Sequence, residues 1–160
     1  MFASVTAINK ILMKKNLIFL LLLTGIVGLG HAQLRKIPSE VTDALKAKYP
    51  SAEKVAWKDK LTFFQADFIN EGYSTSADFD SKGSWLETDK EIAFANLPDA
   101  VKDGYRKTKY TSEWKTGTVI EIQKPSEALQ YRIFIQKSGV QKKFLYFDKA
   151  GKLLREAITI

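Results

Sequence analysis

Apolar and polar side chains alternate along several segments of the chain, with the two-residue period of a β-strand that is buried on one face. The alternation is clear at residues 64–68 and, after an Asn-Glu-Gly turn, at residues 73–79. The same pattern, together with Gly- or Pro-containing turns, predicts further strands at residues 85–92, 119–123, 131–135, 144–147 and 153–160. The chain is therefore expected to form antiparallel sheet joined by hairpins.

Two short segments have the different period of an amphipathic helix. Val41, Leu45 and Tyr49 are spaced four residues apart, which places them in one apolar stripe, and a proline follows. Val101 and Tyr105 form a similar stripe later in the chain. Each segment follows a proline, a residue that is tolerated in the first helical turn. We expect both helices to pack on a sheet face.

Three sequence landmarks occur twice in the same order. The pairs are residues 37–43 with 97–103, Trp57 with Trp114, and residues 79–83 with 147–151. Their separations are 60, 57 and 68 residues, so the order is kept while the spacing changes. We therefore predict an α+β fold of two tandem repeats at residues 33–95 and 96–160. Each repeat would contain one helix followed by about four antiparallel strands (α-β4 twice).

The first 32 residues have the composition of a cleavable secretory signal peptide. Three lysines precede an apolar run at residues 17–23, and no acidic residue occurs in this segment. Gly30 and Ala32 supply the small residues of a peptidase site, so cleavage is predicted after Ala32. Translation from Met1 or from Met13 would give the same mature chain. The apolar run is shorter than the roughly 20 residues of a membrane helix, so we expect a periplasmic or secreted protein without a stable membrane span.

Cleavage would reduce the net charge of the protein. The full chain has 25 Lys and Arg against 18 Asp and Glu, or +7, and the loss of three lysines leaves 22 − 18 = +4. The remaining charge is uneven, because residues 33–95 carry 9 basic and 11 acidic groups whereas residues 96–160 carry 13 and 7. The lysines do not form a basic helix with interleaved aromatic residues, so no nucleic-acid partner is expected.

The predicted mature chain lacks the side chains on which most catalytic sites depend. It has no cysteine, and the sole histidine, His31, would leave with the signal peptide. Thiol nucleophiles, imidazole bases and the usual zinc ligands are then missing. Asp78, Asp80 and Gly83 resemble part of a calcium loop, but Lys82 occupies a position that requires an oxygen ligand. We predict no catalytic residue, cofactor or metal, and expect Asp80 to accept hydrogen bonds within a turn.

Aromatic residues supply the candidate interaction site. Trp57 and Trp114 occur at matching positions, which favours a role in the core. Aromatic rings with a polar edge are also common at protein interfaces, and this possibility stays open for the third tryptophan and for one hairpin turn. The candidate interface residues are Asn70, Glu71, Tyr73 and Trp85.

Several of these features together resemble one known family. They are the apolar-Pro-x-x-Val helix start, Tyr49-Pro50, Trp57, the strand at residues 64–68, and Phe79-Asp80-x-x-Gly83 before Trp85-Leu86-Glu87-Thr88. In these features the chain resembles the PepSY-like domains, also called β-lactamase-inhibitor-like, which are small exported bacterial modules. The resemblance covers essentially the whole predicted mature chain. Its motifs are structural, so they support a fold more directly than an activity.

The resemblance implies a non-enzymatic module whose sheet grips another protein, as the namesake inhibitor does with hairpin loops. The expected partner is another envelope or secreted protein. A carrier of a small apolar ligand or peptide is the alternative from a different class. An apolar cavity with convergent polar groups would favour the carrier, whereas a solid core under an exposed aromatic face would favour the protein binder.

Overall fold

The computed structural model describes residues 36–159, and the predicted signal peptide lies outside the described residues. Within that range the chain forms two α-helices, a 3-10 helix and eight β-strands. The elements are α1 Ser39–Lys48, β1 Glu53–Asp59, β2 Phe64–Asn70, β3 Tyr73–Phe79, β4 Trp85–Ile92, the 3-10 helix Phe94–Asn96, α2 Asp99–Arg106, β5 Lys115–Gln123, β6 Gln130–Gln136, β7 Lys142–Asp148 and β8 Leu153–Thr159.

The eight strands form one antiparallel sheet in the order β1 to β8. β4 and β5 are joined by five residue pairs, from Thr88 opposite Gln123 to Ile92 opposite Val119. The expectation of an α+β fold made of two tandem α-β4 units is therefore wrong. The described chain is mostly β, with helices of 10 and 8 residues beside one continuous sheet. Local turns and periodicities prompted that expectation, and they do not reveal whether the edge of a strand stays free or pairs.

Most of the predicted strands are confirmed. β2 and β3 contain the two alternating segments and are joined by the predicted turn, with Asn70 opposite Tyr73. β1 is not predicted by alternation, because this strand lies at the edge of the sheet and most of its residues are exposed. A buried face is what produces a two-residue period.

One apolar cluster lies between α1 and the first strands. Val41 and Leu45 of α1 are 0% and 4% exposed, which confirms the predicted stripe. The Tyr49 ring, just after the helix, packs 5.0 Å from the ring of Phe68. The buried members of the cluster are Val41, Leu45, Phe64, Ala66, Phe68, Ala77 and Phe79, with Trp57 and Trp85 at the margin.

A second apolar cluster lies between α2 and the later strands. Val101 and Tyr105 of α2 are buried, as predicted. The Trp114 ring packs against this cluster and meets the Tyr110 ring edge-on at 5.2 Å. The buried members are Leu97, Val101, Tyr105, Tyr110, Val119, Tyr131, Ile133, Ile135, Leu145 and Phe147.

Both clusters lie on the same face of the sheet. Ala77 of the first cluster pairs with Thr88 of β4. Ile92 lies four residues along β4 and therefore on the same face, and it pairs with Val119 of the second cluster. Both α-helices thus pack on one face, here called the helix face. The opposite face is called the open face.

The turns before β4 and β8 are built around aspartates. Asp80 Oδ1 accepts hydrogen bonds from the backbone N–H groups of Lys82 and Ser84, both at 2.8 Å, which confirms the predicted turn. These backbone hydrogen bonds, that of Ser84 first, lower the pKa of Asp80. Asp148 accepts equivalent bonds from Ala150 and Lys152 at 2.9 and 3.0 Å.

The turn between β7 and β8 approaches α2 very closely at Gly151. This glycine has φ +82°, and a Cβ atom built on it would lie 1.9 Å from the carbonyl oxygen of Ala100. A side chain would therefore collide with the helix backbone in addition to straining its own. The absence of a side chain at Gly151 therefore allows α2 to pack this closely against the turn.

Candidate protein-binding surface

Three of the four predicted interface residues lie at the hairpin between β2 and β3. Glu71 and Gly72 form its two-residue turn, both with positive φ. Tyr73 is partly exposed on the helix face, and the Lys90 ammonium lies 3.9 Å from the centre of its ring. Asn70 is partly buried and pairs with Tyr73, whereas Glu71 is exposed.

The fourth predicted residue, Trp85, lies at the other end of the sheet. It pairs with Phe79, six residues along β3 from Tyr73, which corresponds to about 20 Å. Its ring packs against the first apolar cluster, with the Lys48 ammonium 3.6 Å from the ring centre. Its Nε1 donates a 2.8 Å hydrogen bond to Thr88 Oγ1. The structure therefore does not bring the four residues into one surface.

The open face carries a different set of aromatic residues. Ile133 and Leu145 belong to the cluster under α2. Phe134 and Phe144 are their neighbours in sequence and project from the opposite side of the sheet, since successive side chains in a strand alternate. The two phenylalanines pair across β6 and β7, with ring centres 5.4 Å apart, and both are partly exposed.

Two arginines stack on this aromatic surface. The Arg155 guanidinium of β8 lies 3.4 Å from the centre of the Tyr146 ring, and that of Arg132 lies 5.4 Å from the Phe144 ring. Such contacts hold a cation against a ring and can leave its N–H groups available, as at Arg155, whereas Arg132 also pairs with Asp89. We call the open-face side chains of Arg132, Phe134, Lys142, Phe144, Tyr146 and Arg155 the β6–β8 platform.

The Phe134 ring packs directly over Gly117 of β5, and a cleft lies beside these two residues. A Cβ atom on Gly117 would lie 2.6 Å from Phe134 Cδ1. The space is a cleft of about 390 Å³. It is lined by Lys115, Thr116, Gly117, Phe134, Gln136, Lys137 and Ser138. The platform is thus bordered by a cleft that lies next to an aromatic ring and is lined by two lysines.

The other half of the open face is acidic. Five carboxylates alternate onto it from β2, β3 and β4, namely Asp67, Asp78, Glu87, Asp89 and Glu91. Asp67 pairs with Lys58 of the edge strand at 2.5 Å. Burial raises the pKa of Asp78, although the side-chain hydrogen bond from Gln65 opposes the rise. The open face therefore changes from acidic to cationic and aromatic across the sheet.

Two ion pairs lie where the halves meet. Arg132 Nη2 donates a 2.7 Å hydrogen bond to Asp89 Oδ2, and Lys124 pairs with Glu87 at 3.1 Å. Burial raises the pKa of Asp89 to about 6; Arg132 opposes this rise and Glu87 adds to it. Within residues 36–159, Asp89 Oδ1 and Arg132 Nε are buried without a hydrogen-bond partner. A cleft of about 310 Å³ adjoins this pair.

A polar cluster on the helix face is satisfied by its own members. The Tyr110 hydroxyl donates to Glu156 at 2.5 Å and accepts from Lys143 at 2.8 Å, and Lys143 also pairs with Glu156 at 2.9 Å. The hydrogen bond from Tyr110 is the main cause that lowers the pKa of Glu156. Lys143 and Glu156 neutralise each other, and Tyr110 is hydrogen-bonded to both. The cluster is therefore best explained as a structural link between Tyr110, which follows α2, and strands β7 and β8.

An apolar cleft lies between α1 and the edge strand β1. Its volume is about 390 Å³, near the lower limit for sites of small organic ligands. It is lined by Thr42, Leu45, Lys46, Tyr49, Pro50, Ala52, Val55 and Trp57. This is the feature of the structure that corresponds to the carrier alternative.

Two other kinds of site are absent from the part of the chain that the structure describes. No group of three or more His, Cys, Asp or Glu side chains in residues 36–159 is arranged to hold a metal ion. Neither of the helices in that range has the length and apolar character that a membrane crossing requires.

The β6–β8 platform is not among the sites predicted above, although the sequence carries a signal for it. In the segment Tyr-Arg-Ile-Phe-Ile at residues 131–135, the apolar positions 131, 133 and 135 define the buried face. Phe134 then falls on the polar face beside Arg132. An aromatic residue out of phase with the buried positions is the pattern that indicates an exposed aromatic surface.

Comparison with known proteins agrees with this architecture. The model of the family described as "beta-lactamase-inhibitor-like, PepSY-like" matches residues 62–155, more than half of the chain. No curated protein matches the sequence.

Solved structures extend the likeness to the whole described fold. A BLIP-like protein from Bacteroides fragilis is 30% identical with a TM-score of 0.70, over 76% of this chain and 86% of that one. A DUF2874 family protein from Bacteroides uniformis is 25% identical with a TM-score of 0.71, over 75% and 88%. A Bacteroides eggerthii structure described with the words "periplasmic proteins" shares the fold at 24% identity, with a TM-score of 0.72 over 76% and 88%. The chain belongs to the beta-lactamase-inhibitor-like, PepSY-like family.

Proposed function

We propose that this protein is an exported, non-enzymatic module that binds another envelope or secreted protein through the open face of its sheet and the adjoining hairpins. The observation that carries the proposal is the asymmetry of the sheet. Both α-helices and both apolar clusters lie on the helix face, and the open face carries partly exposed aromatic rings. Partly exposed aromatic and arginine side chains are the types that dominate the energy of protein interfaces.

The family supports the same kind of function. Inhibitor-like proteins act by contact and without chemistry of their own, and a relative is described as BLIP-like. The description of that relative does not identify the partner of this chain, so we do not propose that the partner is a β-lactamase. The predicted signal peptide supports export, and it fits a relative described as periplasmic.

Site-specific crosslinking in the native host would test the proposal. A photoreactive amino acid is placed at Ser74 or Gln136, which alternate onto the open face from β3 and β6. The matched controls carry it at Asp43 of α1 or Asp103 of α2, which are exposed on the helix face. We expect a discrete crosslinked protein from the open-face positions and none from the helices. Crosslinks from the helix positions alone would contradict the proposal.

The cleft between α1 and β1 favours a second candidate, a carrier of a small apolar ligand. Its lining includes Leu45, Tyr49, Val55 and Trp57, and it is separate from the open face. Native mass spectrometry of the protein purified from its host's envelope would reveal a bound lipid or peptide. A carrier would show a stoichiometric adduct that is removed by Val55→Trp, a change at an exposed residue that lines the cleft. The protein binder would show the bare chain mass.

A further inference from the structure

We propose that the β6–β8 platform is the part of the open face that anchors the partner, and that it takes an acidic and apolar segment of the partner protein. This inference rests on the proposed function and adds the chemistry of the partner. Apolar side chains of the segment would lie over Phe134 and Phe144. Its carboxylates would meet the cations on either side.

The register of β6, β7 and β8 determines which side chains of the platform are neighbours. Phe134 pairs with Phe144 across β6 and β7. One row along, about 7 Å away, Arg132, Tyr146 and Arg155 are paired in line. In the row on the other side, Gln136 pairs with Lys142. The platform therefore has an apolar centre with cations in both flanking rows.

The ionisable groups of the platform that carry a full charge are all positive. Its cations are Arg132, Lys142 and Arg155. Arg132 already pairs with Asp89, so Lys142 and Arg155 are the cations that a carboxylate of the partner would meet. The carboxylate on the same face of β7 is Asp148. Asp148 is occupied by the turn, where its Oδ1 accepts hydrogen bonds from two backbone N–H groups. Arg155 is already held against Tyr146, so its guanidinium can bind a carboxylate with little further ordering.

The cleft beside Phe134 and Gly117 is a second observation in the same place. It lies beside the Phe134 ring, and Lys115 and Lys137 line it. An apolar side chain that enters it would contact an aromatic ring, and a carboxylate next to that side chain would reach a lysine. Pockets of this kind, with an apolar floor and a polar rim, hold the anchor residues of protein interfaces.

The acidic half argues for a protein segment and against a polyanion. A nucleic acid or an acidic polysaccharide that crossed the platform would continue over Asp67, Asp78 and Glu91, which would repel it. A protein segment can carry carboxylates over the platform and neutral or basic residues beyond it. The change of charge across the sheet would then fix its orientation.

The test uses a displayed library of random 12-residue peptides, selected on the protein purified after full-length expression. We expect selected peptides to combine Asp or Glu with Phe, Leu or Ile. Replacing each Asp and Glu of a selected peptide by Asn and Gln should weaken its Kd at least tenfold. Arg155→Glu and Phe134→Ala should each do the same, and Gly117→Ala, which forces Phe134 to move, should weaken binding about threefold or more.

A matched variant controls for charge. Lys107→Glu makes the same reversal at an exposed position after α2, on the helix face, and should leave Kd within twofold. Thermal melts of every variant would show that each is folded. Light scattering on the free protein tests whether a second copy covers the platform; a dimer that Arg155→Glu dissociates would overturn the proposal.

The remaining outcomes separate this inference from the function on which it rests. Selected peptides that are not acidic, or that bind Arg155→Glu and Phe134→Ala as tightly as the wild type, would overturn the platform while leaving a protein-binding function intact. Competition by a single-stranded oligonucleotide at equal molar charge would point to a polyanion and overturn the partner's class. Failure to select any peptide, together with no crosslinked protein from the open face, would overturn both.

Discussion

Asp89 and Arg132 meet above β5, although they project from β4 and β6 on either side of it. The link is a 2.7 Å hydrogen bond between Arg132 Nη2 and Asp89 Oδ2, and these side chains are 24% and 20% exposed, respectively. It joins the acidic half of the open face to the cationic half. Because the pKa of Asp89 is raised to about 6, the protonation of this carboxylate changes within a pH range that is easy to reach.

The first prediction concerns the pH dependence of stability. An aspartate whose pKa is about 6 in the folded state and about 3.9 in the unfolded state binds its proton more tightly when folded. Its contribution is fully present below pH 3.9 and is lost as the pH rises through 6. The unfolding free energy of the wild type, measured against that of Asp89→Asn in denaturant, should therefore fall by about 2 kcal/mol between pH 4 and pH 7.

A direct titration checks the same prediction. The carboxyl carbon shift of Asp89, followed by NMR, should have its midpoint near pH 6. A midpoint close to 4, or unfolding curves for wild type and Asp89→Asn that stay parallel over this range, would show that the carboxylate remains ionised beside Arg132.

The second prediction compares two glycines with the same backbone angle. Gly72 and Gly151 both have φ +82°, but a Cβ atom on Gly72 would meet nothing within 4 Å. Gly72→Ala should cost about 1 kcal/mol, the strain of the left-handed conformation alone. Gly151→Ala adds a collision with the Ala100 carbonyl, so we expect a further loss of about 2 kcal/mol or more, measured by denaturant unfolding. Equal losses would show that α2 can shift away without cost.

The third prediction concerns the hydroxyl of Thr88, which is 6% exposed. It accepts a hydrogen bond from Trp85 Nε1 and is hydrogen-bonded to the Tyr49 hydroxyl. Thr88→Val keeps the shape of the side chain but leaves both ring groups without this partner, so the unfolding free energy should fall by about 1–3 kcal/mol.

Thr75 supplies the matched control. It is 5% exposed on the same face, and its hydroxyl donates a single bond to the carbonyl of Tyr73. Thr75→Val should cost clearly less than Thr88→Val. If the two variants lost the same stability, the bonds to Trp85 and Tyr49 would contribute little.

The fourth prediction concerns processing of the N-terminus. Cleavage after Ala32 would give a chain that begins at Gln33 and lacks His31. Intact mass measurement of the protein from a bacterial envelope fraction should show this species. Ala32→Arg places a large charged residue at the cleavage point and should leave the precursor uncleaved. A wild-type mass that includes His31 would contradict the predicted site.

The elements of this fold were accessible from the sequence because they depend on local patterns. The stripe of Val41 and Leu45 and the alternation in β2 and β3 each record burial on one face. The Asp80 turn follows from side-chain hydrogen bonding over four residues. The pairing of β4 with β5 follows from none of these local patterns. It joins segments about thirty residues apart, and nothing in the sequence of either strand indicates which strand will pair with it.

The candidate surface was harder to predict for a related reason. Trp85 and the Asn70 hairpin are conspicuous in the sequence, but β3 separates them by its full length. Phe134 and Phe144 look like ordinary strand residues and become a surface only when β6 and β7 pair. Composition identifies aromatic residues, whereas the sheet decides which of them face solvent together.

The order of strands also has a consequence for how the chain folds. Every strand pairs with the one before it, so most steps close only a short loop and lose little chain entropy; the exception is the pairing of β4 with β5, which closes residues 93–114. Low contact order of this kind favours rapid folding, even for a protein that is mostly β. The β6–β8 platform comes from the last thirty residues, so it is the part of the sheet that forms last as the chain emerges. A product truncated after β5 could order its first strands and still lack the surface that we propose for the partner.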